Sequence, residues 1–183
     1  MSKYRFQKKS TDFATGRMQE EIEDNFTSKA ELAAEIAKVE NLPRNYAEMY
    51  IDDTAPSAIA VTAGTPIKST GWTKTMQVQG FTVENSRFTY TVDRQADFQI
   101  NSSVSFTASA INAIIEMWIY KNGTEIMWSE LHCKVGTPGD VGNAGQTLLI
   151  KLNKGDYLEL YIDTDKNATV TIDNGNINIM SVN

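Results

Sequence analysis

His132 and Cys133 are the only histidine and the only cysteine of this 183-residue chain, and they stand side by side. An imidazole beside a thiol is the raw material of a base-activated nucleophile, but the two side chains must converge. The segment around them reads as a strand, in which neighbours point to opposite faces. His132 is therefore expected at the surface and Cys133 in the core, with no shared chemistry. One cysteine and one histidine also fall short of a usual zinc ligand set. The loop carboxylates Asp163, Asp165 and Asp173 are the remaining metal candidates, but calcium takes six to eight oxygens and no EF-hand-like spacing is present. They are expected to be solvated turn residues. Without a Gly-x-Gly-x-x-Gly fingerprint or a phosphate-binding loop, nucleotide chemistry has no support. The expectation is a protein with no catalytic residues, no metal and no cofactor, and not an enzyme.

The aromatic residues say more. Trp118, Tyr120, Tyr157 and Tyr161 sit out of phase with the apolar rows of their segments, and large aromatics on a second face suggest a subunit interface or a ligand platform. We expect these four to form an oligomer interface. The elements that must position them follow from period-two alternation. Phe98, Ile100, Val104 and Phe106 share one face, with Gln99, Ser103, Ser105 and Thr107 opposite. Ile115, Met117 and Ile119, then Leu148, Ile150 and Leu152, then Leu158, Leu160 and Ile162 form further inward rows. Asn122-Gly123 is the residue pair that best tolerates a two-residue type I′ hairpin turn, and Glu84-Asn85-Ser86 marks another hairpin. Val170–Ile172 and Asn176–Val182 read as two final strands. About eight to ten short strands joined by turns, with no crossover helices, predict a mainly β, antiparallel two-sheet jelly-roll sandwich with Greek-key connections.

The first 43 residues have a different grammar. Met18, Ile22, Asn25, Lys29, Leu32, Ile36 and Val39 are spaced alternately four and three apart, the seam of a short coiled coil, and Met18, Ile22, Leu32, Ile36 and Val39 are its apolar members. Ser28-Lys29-Ala30-Glu31 reads as a capping box, which starts a helix at Lys29. Pro43 closes the segment. A lone helix of about 12 residues is marginal in water, so the seam needs a surface, supplied either by other copies or by the chain's own β-domain. Ahead of it, Lys3, Arg5, Lys8, Lys9 and Arg17 face only Asp12, giving residues 1–17 a net charge of +4 against −10 for the remainder. An acidic body argues against nucleic-acid binding, and a short basic arm is suited to docking on an acidic surface. The expected organisation is an anchoring arm over 1–17, a helical stalk over 18–43 and a knob over 44–183. No apolar run approaches the roughly 20 residues of a membrane span, and no signal-peptide pattern opens the chain. Synthesis in a reducing cytoplasm and no membrane partner are expected.

Several segments together carry a resemblance. Phe98–Phe106, Glu116-Met117-Trp118-Ile119-Tyr120-Lys121-Asn122-Gly123-Thr124, Gly155-Asp156-Tyr157-Leu158-Glu159-Leu160-Tyr161 and Asn176-Ile177-Asn178-Ile179 occur in the order and spacing of the tumour-necrosis-factor and complement globular-head jelly roll. The region from about 47 to 183 is most similar to versions of that domain on bacteriophage virion proteins, where Ala63-Gly64-Thr65-Pro66-Ile67-Lys68 and Phe88-Thr89-Tyr90 also have counterparts. The resemblance implies a homotrimer with strand faces packed about a three-fold axis. It further implies a virion-surface protein such as a head fibre or capsid decoration protein, held to another virion protein by its N-terminal arm. A receptor-binding fibre module that engages a bacterial surface glycan or protein is the other function it implies.

Overall fold

The computed structural model describes residues 29–40 and 44–182. The chain divides into two units, Met1–Pro43 and Arg44–Asn183. In the first, α1 (Lys29–Glu40) is a 12-residue helix with Glu31 in its first turn, where a carboxylate complements the positive end of the helix dipole. It includes Lys29, where the Ser28–Glu31 pattern predicts a helix to start. The arm residues Lys3, Arg5, Lys8, Lys9 and Arg17 and the seam positions Met18 and Ile22 lie outside the described residues. Of the remaining seam, Leu32 is half-buried and Ile36 and Val39 fall on α1. A single 12-residue helix does not by itself support a coiled-coil stalk.

The second unit is mainly β, and it builds two antiparallel sheets from the alternating rows. The strands run β1 (Tyr46–Ile51), β2 (Ser57–Val61), β3 (Ile67–Lys68), β4 (Thr73–Lys74), β5 (Phe81–Val83), β6 (Phe88–Tyr90), β7 (Ala96–Ala108), β8 (Ala113–Lys121), β9 (Thr124–Glu125), β10 (Leu131–Val135), β11 (Gly142–Leu152), β12 (Tyr157–Thr164) and β13 (Ala168–Ser181). One sheet is ordered β11-β7-β13-β1-β4, with β2 also on β13. The other is ordered β10-β8-β12-β6-β5, with β3 on β12 and β9 on β8. Neighbours in space are mostly not neighbours in sequence, as Greek-key connections require.

The core lies between the sheets. Phe98, Ile100, Val104 and Phe106 of β7 meet Ile115, Met117 and Ile119 of β8 and Leu158, Leu160 and Ile162 of β12 in one buried cluster. Each such side chain contributes about 1.5–3 kcal/mol on burial. Phe81, Tyr90 and Phe98 close one end as an aromatic group with ring centroids 4.9–5.2 Å apart, in the tilted and edge-on geometries that ring quadrupoles favour.

The turns follow their residues. Asn122 and Gly123 have φ of 54° and 75°, and Asn85 and Ser86 have 52° and 57°, the left-handed pair that a type I′ turn needs. The Asn122 turn is locked to the turn before β12. Asn122 N–H and Oδ1 bond Tyr157 O and N–H, while the Asp156 carboxylate accepts from Asn122 Nδ2 and from the Asn153 N–H and lies 2.9 Å from Lys121 Nζ.

Two strands differ from the sequence reading. Ahead of the Glu84-Asn85-Ser86 hairpin, residues 73–83, which the sequence reads as one strand, are interrupted between Lys74 and Phe81, leaving β4 and β5. The two expected final strands are one, β13, with a register irregularity between Ile172 and Asn174. The cause is parity. Val170 and Ile172 point inward and so do Ile177 and Ile179, but positions 172 and 177 are an odd number apart, so an uninterrupted pleat would send one pair outward. A bulge absorbs the extra residue. It also separates the part of β13 that pairs β2 from the part that pairs β1.

Candidate functional site

The outer face of the β8-β12 sheet holds the four aromatics expected at an interface. Register sets Trp118 opposite Tyr161 and Tyr120 opposite Glu159. Tyr120 and Tyr161 stack at 3.9 Å with their planes 19° apart, and Arg87 lies 3.9 Å over the Tyr157 ring, a cation–π contact. Beneath them the buried Glu159 carboxylate takes Lys68 Nζ at 2.7 Å and Arg87 Nε at 2.8 Å. Partial burial raises both stacked phenols above the usual tyrosine range, reinforced by Glu125 for Tyr120 and by Glu159 for Tyr161.

Trp118 lies on the outer face but is only 6% exposed. Tyr120, Tyr157 and Tyr161 are half-buried and are spent on one another, on Arg87 and on covering Glu159.

On the outer face of the other sheet, three rows beside the exposed Lys151–Asp97 pair carry little charge. These rows cross β11, β7, β13 and β1: Leu149, Gln99, Met180 and Tyr46; then Thr147, Asn101, Asn178 and Glu48; then Gly145, Ser103, Asn176 and Tyr50. Glu48 is the one ionisable carboxylate in them, on a body with 10 basic and 15 acidic residues. Its charge ends a relay of side-chain hydrogen bonds. Gln99 Nε2 donates to Asn101 Oδ1 (3.0 Å), Asn101 Nδ2 to Asn178 Oδ1 (3.0 Å), Asn178 Nδ2 to Asn176 Oδ1 (3.1 Å) and Asn176 Nδ2 to Glu48. An amide has two N–H donors, so each link retains one for another partner. Leu149 and Met180 are 64% and 47% exposed and flank Gln99 in one row. Gly145 and Ser103 leave a shallow dip of about 360 Å³ beside them. The sequence reading set Gln99 and Ser103 on a polar face but missed the cross-strand alignment of the amides, which depends on the register of β7 with β13.

The nucleophile and loop-carboxylate candidates do not converge. Cys133 packs against the core and His132 is exposed on the other side of β10, as alternation predicts. Asp163 accepts the Thr65 and Thr164 N–H groups and Asp165 accepts that of Ile114, so these two cap backbone. Among the described residues the one group of metal-ligating side chains is Glu116, Glu130 and His132, whose ligand atoms lie within 4.8 Å of one another. His132 Nε2 is 2.9 Å from Glu130 Oε1 and 4.0 Å from Glu116 Oε1. The bond to Glu130 raises the imidazole pKa against slight desolvation, helped by Glu116. Glu116 is itself raised, first by burial and then by Asp163 and Glu130, with His132 opposing.

The two-sheet architecture is shared with known structures. An Eiger TNF from S. frugiperda matches at a TM-score of 0.57 with 10% identity, over 78% of this chain and 94% of that one. The fold is a tumour-necrosis-factor-like jelly roll. Murine APRIL matches the same fold at a TM-score of 0.51 with 10% identity, over 76% of this chain and 100% of that one. PRD1 vertex protein P5 aligns at 16% identity over 76% and 97%, with a TM-score of 0.49, a value too low to carry weight. At these identities the likeness is one of fold alone. No protein-family model matches the chain, and no curated protein does. Among the described residues no helix is long and apolar enough to cross a membrane.

Proposed function

We propose that this chain is a structural protein of a bacteriophage virion surface, a homotrimeric head fibre or decoration protein that displays the jelly-roll unit. The observation that carries self-association is the outer face of the β11-β7-β13-β1 sheet. Identical copies of an acidic body repel, and this face is where they approach without that cost, because its amides and hydroxyls both donate and accept and its exposed Leu149 and Met180 gain by being covered. The edge strand β11 is 11 residues long, and a long edge invites a neighbour. Trimer and phage virion are what the sequence resemblance implies, and the fold is compatible with both.

In this reading residues 1–17 dock on an acidic surface of another virion protein through Lys3, Arg5, Lys8, Lys9 and Arg17. The seam of Met18, Ile22, Leu32, Ile36 and Val39 forms a stalk only when copies meet. Particles assembled with a chain lacking residues 1–17 test the anchor. The shortened chain is expected to remain oligomeric and to be missing from purified particles; incorporation at the full level contradicts anchoring by the arm.

A second reading, a host-adhesion module, is favoured by Met127 and Trp128, which are 76% and 74% exposed on one turn. Binding of the full chain to a bacterial glycan array, reduced at least about tenfold by Trp128→Ala as for an aromatic anchor residue, is the expected result. An array without signal removes this reading.

A further inference from the structure

We infer that Glu116, Glu130 and His132 form a binding site for a divalent transition-metal cation such as Zn²⁺ on the outer face of the β8-β10 pair. His132 is paired directly with Glu116 across the ladder, and Glu130 lies two residues before His132 on the same face. Glu130 is the extended residue just before β10, so it and His132 form an i, i+2 pair with Glu116 opposite, a triangle whose side chains converge above the sheet. Their ligand atoms already lie within 4.8 Å of one another, so a short closing movement brings all three to the roughly 2.0–2.2 Å that zinc takes with nitrogen and carboxylate oxygen.

The charge around the site asks for a cation. Among the described residues neither Glu116 nor Glu130 has a lysine or arginine within ion-pair distance, and each reaches only His132. Asp163, buried and directly opposite Glu116, adds a further negative charge nearby. The donor set selects the class of ion. One imidazole with two carboxylates suits zinc and its neighbours. Calcium and magnesium prefer shells made wholly of oxygen, and calcium needs six to eight. The side chains of Glu130 and His132 are 44% and 55% exposed, which leaves room for water to complete the coordination shell. A bound ion ties β10 to β8 beside the Met127–Trp128 turn.

His132 is the only histidine, so its ring nitrogen resonances report on the site without overlap. Zn²⁺ titrated into the full chain is expected to bind saturably at one equivalent per chain, to move the His132 ring signals and to raise the melting temperature as the ion is added in excess. His132→Ala and Glu116→Gln, both surface changes, are each expected to weaken binding at least about tenfold, and Ca²⁺ in excess is not expected to displace the ion. The proposal is overturned if Zn²⁺ fails to saturate, if His132→Ala binds as well as the unaltered chain (an adventitious ion only), or if the His132 ring signals stay unchanged at saturation.

Discussion

Asp156 joins two turns through one carboxylate, and its chemistry makes that joint dependent on pH. Burial by itself would raise its pKa, but the Asn153 N–H, Lys121 and Asn122 outweigh that and hold it at about 2. A carboxylate whose pKa is depressed in the folded state contributes stability above its unfolded value near 3.9 and loses it as pH falls toward the folded value. Asp156→Ala is expected to cost about 2 kcal/mol at pH 7 in urea unfolding, with the deficit closing between about pH 4 and pH 2. Gly175 is constrained by space. A Cβ there would meet the Trp72 ring at 2.6 Å, and that ring is held by its own hydrogen bond to Ser69 Oγ at 2.7 Å. Gly175→Ala should destabilise the fold by about 1–3 kcal/mol, the usual range for overpacking, readable as a lowered melting temperature.

Elements explain which parts of the molecule could be read in advance. The inward rows of β7, β8, β11 and β12 and the Asn122-Gly123 turn were legible because alternation and left-handed turn residues are local signals. Longer-range registry was not. From the Asn122 turn, Tyr120 pairs Glu125, but further along Met117 pairs Leu131, so the register has slid by three residues. The 3₁₀ turn Met127–Ser129 inserts them. An odd slip exchanges the faces of a strand, and it is what sets His132 beside Glu116 instead of opposite an inward residue. The metal-ligating trio was therefore invisible in spacing alone. Alternation likewise gives the face of Trp118 but not that neighbouring side chains bury it. The turn itself hangs on Ser129, whose buried hydroxyl accepts the Ile119 N–H at 2.8 Å and donates to Ile126 O at 2.7 Å. Ser129→Ala leaves that N–H without its partner, at a cost of about 1–3 kcal/mol. Faster amide exchange at Ile119 is the local check.

At the scale of the whole molecule, the proposed trimer requires one face to meet a copy of itself. The tyrosines of the aromatic face contact one another and Arg87, whereas the amide face carries two exposed apolar side chains, Leu149 and Met180. Sedimentation of the full chain tests this most directly. A single species of about 61 kDa, three times the 20.4 kDa chain, is predicted. The doubly substituted Leu149→Glu, Met180→Glu chain should sediment as a folded monomer, because it sets like charges against each other at the contact. An unaltered chain that sediments near 20.4 kDa, or a trimer indifferent to both substitutions, would contradict the account.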